Sequence, residues 1–308
     1  MPTTPPTTST GIRSIHYHID KVVLSLHCYP YVRQHLFDWL TQAGFKTTQD
    51  GEVRGNYRRI RSMKDTVGLG VQLTICYRPR APYLPRMLLT IHDPTPDSLK
   101  FFKIIFDELD ITAILSSVEL AFDVTAADGQ LLSLERRITA TLFLPYQRKS
   151  AGTYKSLTYY TTNIRTAAKG HRVYQKTING QRVIRVELVL NRARLKAMAI
   201  TLRNVLSIKP QVLRKYIQFR RMNIDRLAAA IINKMLGTRT GKPISTGTAR
   251  PHVTQLVRSA WRSALSVDMG DYVMPQYERL RAESSINNYG RFLDRDEEFE
   301  EGFWNAVV

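Results

Sequence analysis

The chain has 308 residues, 43% of them hydrophobic, and 45 Lys/Arg against 26 Asp/Glu give a net charge of +19 and a pI near 10.1. That length and apolar content support one domain with a helical extension or two modest domains. Its two cysteines, Cys28 and Cys76, belong to no C-x-x-C pair, which excludes a zinc finger and argues against a disulfide framework. Residues 1–14 open with a Thr/Pro-rich stretch lacking the charged and apolar regions of a signal peptide, and are expected to form a disordered leader. No apolar run approaches the roughly 18–20 residues of a membrane span, so no membrane partner is expected.

The remaining elements follow in chain order. Ile15 to Leu26 alternates as a strand, and Tyr31 to Ala43 reads as a helix closed by Gly44. Glu52 to Tyr77 reads as strands separated by turns, and Met87 to His92 as a further strand. Ser98 to Leu109 has helical spacing, Ile114 to Thr125 is a strand, and Leu132 to Leu142 is a helix. Thr153 to Tyr160, His171 to Lys176 and Val183 to Leu190 complete the strands. The predicted class is α+β, an antiparallel sheet with helices packed on it, over residues 15–206. Arg194 to Val205, Pro210 to Arg221 and Ile224 to Leu236 read as helices, so residues 207–293 are expected to form a basic helical DNA-binding region. Residues 294–308 read as an acidic tail, and the sequence shows no internal repeat.

Charge is unevenly placed. Residues 1–144 hold 16 Lys/Arg and 14 Asp/Glu, residues 145–262 hold 25 and 2, and residues 263–308 hold 4 and 10. A central block of +23 attracts a polyanion, and nucleic acid suits it better than a membrane surface. The acidic tail is expected to fold back on this basic surface and weaken non-specific binding.

Three strand acids bear on chemistry: Glu119, Asp123 and Glu187. Alternation puts Glu119 and Asp123 on one face, with Val118, Leu120, Phe122 and Val124 on the other. Carboxylates gathered on one face need a cation; Mg²⁺ or Mn²⁺ would serve, and so would the abundant arginines. Tyr174 shares a strand face with Arg172 and Lys176. Cations beside a phenol ease its ionisation, so Tyr174 can attack phosphorus; the plainer alternative is a strand tyrosine that packs or stacks on a base. Tyr159 and Tyr160 are rival nucleophiles. His16 and His18 imitate a metal-binding His-x-His pair, although a structural role is preferred. There is no phosphate-binding G-x-x-x-x-G-K-[ST] loop.

Four segments together resemble the rolling-circle replication initiators of the trans-acting plasmid Rep class, which are related to filamentous-phage initiators. They are Ile19–Leu26, Val118–Asp123, Leu157–Thr162 with His171–Lys176, and Arg185–Leu190. The resemblance spans roughly residues 15–200 and departs from the family at Ser117, Glu119, Thr161 and Thr162. It implies a degenerate nickase fold, open to two related halves. It further implies nicking and rejoining of one strand at a double-strand origin through a phosphotyrosine. Tyr174 would be the nucleophile, and Glu119, Asp123 and Glu187 would hold the divalent metal. DNA contacts would come from Arg172, Lys176, Arg185, Arg214, Lys215, Arg220 and Arg221. A host helicase is the implied partner and the bacterial cytoplasm the implied location; the chain is compatible with a homodimer. The alternative is a non-catalytic sequence-specific DNA- or RNA-binding protein, with a nucleic-acid-packaging protein behind it.

Overall fold

A computed structural model describes residues 10–53, 55–66, 68–143, 153–161, 169–222 and 293–308. The first half of the fold comprises β1 (Ile12–His27), α1 (Val32–Gln42), β2 (Phe45–Glu52), β3 (Tyr57–Asp65), β4 (Gln72–Pro79), β5 (Met87–His92) and α2 (Pro96–Glu108). The second comprises β6 (Thr112–Ala126), α3 (Leu131–Thr141), β7 (Leu142–Phe143), β8 (Thr153–Lys155), β9 (Thr158–Tyr160), β10 (Lys169–Ile178), β11 (Gln181–Asn191) and α4 (Arg192–Ala197). Ten of these strands form one sheet in the order β2-β3-β4-β5-β1-β6-β11-β10-β9-β8, every neighbouring pair antiparallel. The protein is α+β, as its sequence pattern predicts.

That order reads alike from either edge. Each half runs strand, helix, four strands, helix, with β7 as an addition to the second. The opening strands β1 and β6 pair at the centre, and each half winds outward from them. The sheet therefore has a pseudo-two-fold axis between β1 and β6. No repeat is visible in the sequence because the two halves share a hydrophobic pattern and a topology, not residue identities.

One sheet face carries the core. Val118, Leu120, Phe122 and Val124 of β6 and Ile184, Val186, Leu188 and Leu190 of β11 are fully buried there. Apolar faces of the helices cover it, for example Leu99, Phe102, Ile105 and Phe106 of α2. Thr95 and Ser98 fix the start of α2 by a reciprocal capping box, with Pro96 in the first turn and Asp97 favourably placed against the helix dipole. β1 changes phase midway: its register on β6 slips between Ile19 and Lys21. Ile15 and Ile19 face the core before this bulge, and Val22, Leu24 and Leu26 after it.

Two expectations fail beyond residue 190. Helix α4 ends at Ala197, short of the predicted Val205, and Pro210 to Arg221 forms no helix. It holds a 3₁₀ turn at Pro210–Leu213 followed by β12 (Gln218–Met222). β12 is the centre strand of a small sheet, between β7 and β13 (Leu293–Arg295). Its Phe219 is fully buried, a non-local contact that overrides the helical spacing. The rest of the expected helical region, residues 223–292, lies outside the described residues, as does most of the expected leader.

The acidic tail is also not a tail. Residues 297–305 form α5 (Glu297–Asn305), whose first turn accepts Glu297, Glu298 and Glu300 at the positive end of its dipole, while the Asp296 side chain caps Phe299 N. Phe299, Phe303 and Trp304 enter the core against Phe122 and Phe219. Glu300 is buried, accepts from Phe219 N at 3.2 Å and pairs with Arg295. Val307 then bridges to Ile15 on the free edge of β1.

His171 of β10 gives the fold a pH dependence. It is fully buried; its Nε2–H donates to Tyr216 O at 2.9 Å, and Nδ1 lies 3.3 Å from the Thr161 hydroxyl. Burial pushes its pKa down to about 3, against about 6.5 unfolded. The folded state binds the proton less well, so stability is complete above pH 6.5 and falls as the pH drops towards 3. Urea melts should show His171 costing the native state about 2 kcal/mol between pH 7 and pH 5. His171→Gln should lack that increment.

Candidate active site

The opposite face of the sheet carries the charge. On β6, Glu119 and Asp123 project from it with Ala121 between. Glu187 on β11 sits opposite Ala121, whose small side chain leaves it room, and Arg185 sits opposite Asp123. On β10, Arg172 comes opposite Glu187 and Tyr174 opposite Arg185. On β1, Lys21 comes opposite Glu119, and the bulge turns its neighbour Asp20 towards the same cluster.

The resulting network is dense. Arg185 Nε and Nη2 bind Asp123 at 2.7 Å each, and its Nη1 binds Asp20 at 2.5 Å. Lys21 Nζ lies 2.6 Å from Glu119 and 3.0 Å from Asp20. Arg172 pairs with Glu119 and places Nε 2.6 Å from Glu187 Oε2. That last approach is poorly angled, so Arg172 Nε and Glu187 Oε2 are both buried without a hydrogen bond. The Tyr174 hydroxyl donates to Glu187 Oε1 at 2.5 Å. Four acids thus face three cations in this network.

Protonation follows the surroundings. Burial raises the Glu187 pKa more than Arg172 and the Tyr174 hydrogen bond lower it. Burial, and then the negative charge of Glu187, raise the Tyr174 phenol well above its usual range. Burial would raise Asp20 too, but Lys21 and Arg185 overcome it and hold its pKa below the usual range. Tyr174 is therefore neutral and hydrogen-bonded at physiological pH.

Among the described residues, two groups of side chains could hold a metal ion. Asp20, Glu119 and Glu187 form one, and His18, Asp20 and Asp93 the other; within each, one ligand atom per residue lies within 4.8 Å of the others. Of the acids proposed from sequence, Glu119 and Glu187 come together. Asp123 belongs to neither group, and Arg185 engages both of its oxygens. Asp20 takes its place, and strict alternation could not have found it, since only the bulge brings it to this face. His18 joins the second group and stacks on His16 at 5.4 Å. A cleft of about 840 Å³ opens beside it, lined by His16, His18, Asp93, Asp123, Lys176 and Arg185 among others.

The other proposed residues separate. Tyr159 is buried in the core and pairs with Val173, whereas Tyr160 lies opposite Arg172. Arg185 is 2% exposed, and its three nitrogens are committed to carboxylates, so it orders the acids and cannot grip a phosphate. Arg172 is largely engaged by Glu119 and Glu187, while Lys176 is exposed. Arg214 and Lys215 are exposed after the 3₁₀ turn. Arg220 and Arg221 are successive residues of β12, so they point to opposite sides, not from a shared helix face.

No protein-family model matches the chain, and no curated protein matches its sequence. Its own internal symmetry supplies a comparison instead. In the first half, β5 and β4 occupy the sheet positions that β11 and β10 occupy in the second, and their rungs carry no acid: Lys21 faces His92, which faces Gln72, and Val23 faces Thr90, which faces Thr74. Thr74 and His92 make a hydrogen-bonding contact at 3.2 Å. The acids and the phenol are confined to the second half and the seam.

Proposed function

We propose that the chain is a DNA nicking-closing enzyme in which Tyr174 is the nucleophile. The observation that carries this reading is the Tyr174 hydroxyl hydrogen-bonded to Glu187, a carboxylate that shares a metal-capable triad with Asp20 and Glu119. Glu187 is placed to take the phenolic proton as the tyrosine oxygen attacks phosphorus. The new O–P bond replaces the bond to the 3′ oxygen, which takes up a proton and leaves as a hydroxyl. The 5′ phosphate stays on Tyr174, and reversal rejoins the strand. Asp20, Glu119 and Glu187 offer only oxygen, the donor that a hard cation such as Mg²⁺ or Mn²⁺ prefers. Such a cation would stabilise charge developing on the phosphate. Initiation of rolling-circle replication at an origin, with a recruited helicase, is the biological setting this chemistry fits.

A non-catalytic nucleic-acid-binding role has its own support: Lys21, Arg172 and Arg185 already compensate the acids, and the phenol is hard to ionise. One experiment separates the two. The protein is incubated with Mn²⁺ and a supercoiled plasmid carrying its own gene and flanking sequence, then digested and analysed by mass spectrometry. Nicked circles and a nucleotide-bearing Tyr174 peptide are expected, with both absent in Tyr174→Phe. An adduct surviving that change moves the nucleophile to Tyr160; no nicking by the wild type selects the binding reading.

A further inference from the structure

The first 144 residues are nearly neutral in sum, yet the fold sorts their charge. Three segments meet at the end of the first half where β1 and β4 finish and β3 and β5 begin. They are residues 27–35, from the last residue of β1 into the first turn of α1, residues 55–59 entering β3, and residues 78–86, from the last two residues of β4 to the start of β5. Pairing of Leu26 with Met87, and of Tyr57 with Pro79, sets them side by side. Together they contain Arg33, Arg58, Arg59, Arg78, Arg80 and Arg86, and no acid. Arg59 is bound by Asp50, but Arg58, Arg78, Arg80 and Arg86 are exposed and have no ion-pair partner among the described residues. Arg58 and Arg78 fall at facing positions, between the pairs Tyr57–Pro79 and Arg59–Tyr77, where like charges oppose one another.

The same segments carry every strongly exposed aromatic side chain among the described residues: Tyr29 at 63%, Tyr31 at 65% and Tyr83 at 85%. The rings of Tyr29 and Tyr31 are stacked, 5.7 Å apart and only 7° from parallel. Pro30, Pro79, Pro82 and Pro85 restrict the backbone around them. Hydrogen bonds from Tyr57 Oη to Pro85 O (3.1 Å) and from Arg80 N to Asn56 O (2.9 Å) tie the loops together. Rings fixed in water at this cost in solvation, beside guanidinium groups without carboxylates, match what single-stranded nucleic acid offers: base faces to stack and phosphates to neutralise.

We propose that these loops form a docking surface for single-stranded nucleic acid, with bases stacking on Tyr29, Tyr31 and Tyr83 and phosphates held by Arg58, Arg78, Arg80 and Arg86. The surface lies about 20 Å from the acid cluster, counting from Lys21 to His27 along β1. It does not depend on the nicking reading, since stacking needs neither Tyr174 nor a metal. A duplex, whose base faces are covered, gains nothing from the tyrosines.

The full chain is tested with oligo(dT) bearing 5-iododeoxyuridine, irradiated and mapped by mass spectrometry, so that binding by the basic central block is told apart. Cross-links are expected at Tyr29, Tyr31 or Tyr83. The triple variant Tyr29→Ala, Tyr31→Ala, Tyr83→Ala should lose them and bind oligo(dT) at least ~10-fold more weakly at 0.2 M salt. Duplex binding should be unchanged. The matching triple phenylalanine variant should bind as the wild type, which controls for folding and for the hydroxyls. Cross-links confined to residues 145–262, or a phenylalanine variant as weak as the alanine one, overturn the proposal. Absence of these cross-links in a wild-type protein that nicks plasmid overturns this proposal alone; cross-links at these tyrosines in a wild-type protein that nicks nothing overturn the nicking reading alone.

Discussion

Arg185→Met is expected to destabilise the protein by about 3–5 kcal/mol, read as the shift in a urea unfolding midpoint at constant slope. The size comes from what the substitution strands. Arg185 is the shared partner of Asp20 and Asp123, all three buried. Methionine fills much of the volume but returns no charge, so two carboxylates remain in a poor solvent, with Lys21 and then Lys176 near Asp20 and His18 3.7 Å from Asp123. Alongside Lys21, Arg185 helps hold the Asp20 pKa below the usual range; without it Asp20 takes up a proton more readily, and the penalty should shrink as the pH falls towards 4. Adding Asp123→Asn to Arg185→Met should recover part of the loss at pH 7. A variant as stable as the wild type would mean that water reaches these acids.

Truncation after residue 293 should prevent a stable native fold. Phe299 and Phe303 are fully buried, and Trp304 nearly so. Loss of a single such aromatic typically costs about 3–5 kcal/mol, against about 5–15 for a whole domain. Phe303→Ala is the milder version, with an expected loss of about 3–5 kcal/mol. The tail's acidity suggests a different result, namely tighter non-specific DNA binding by a protein otherwise intact. A truncated chain with a native urea transition would restore that interpretation.

The alternation of β1, β6 and β11 and the amphipathic spacing of α1 to α3 were readable because each element meets the core as a regular face. Glu119 and Glu187 were readable as partners for the same reason. Asp20 was not, because a bulge is a change of phase that alternation cannot register. The role of Arg185 was misjudged because charge in a sequence does not say whether a side chain meets solvent or two buried acids. The residues after 205 misled more: Phe219, Phe299 and Phe303 find one another across about 80 residues, and local spacing carries no information about such contacts. Asp296 followed by Glu297, Glu298 and Glu300 was nonetheless an available signal for a helix start, read instead as a mere run of charge.

The pseudo-two-fold seam also dictates an order of assembly. Within each half most strand pairs are local hairpins that can form early. The seam is different: Lys21 meets Glu119 across 98 residues, and Arg185 meets Asp20 across 165. Loop closure makes such contacts late and slow. Every member of the metal-capable triad comes from a strand at or beside that seam, so neither half alone contains it. A chain still folding would hold its strands, and much of its core, before it held this cluster of acids.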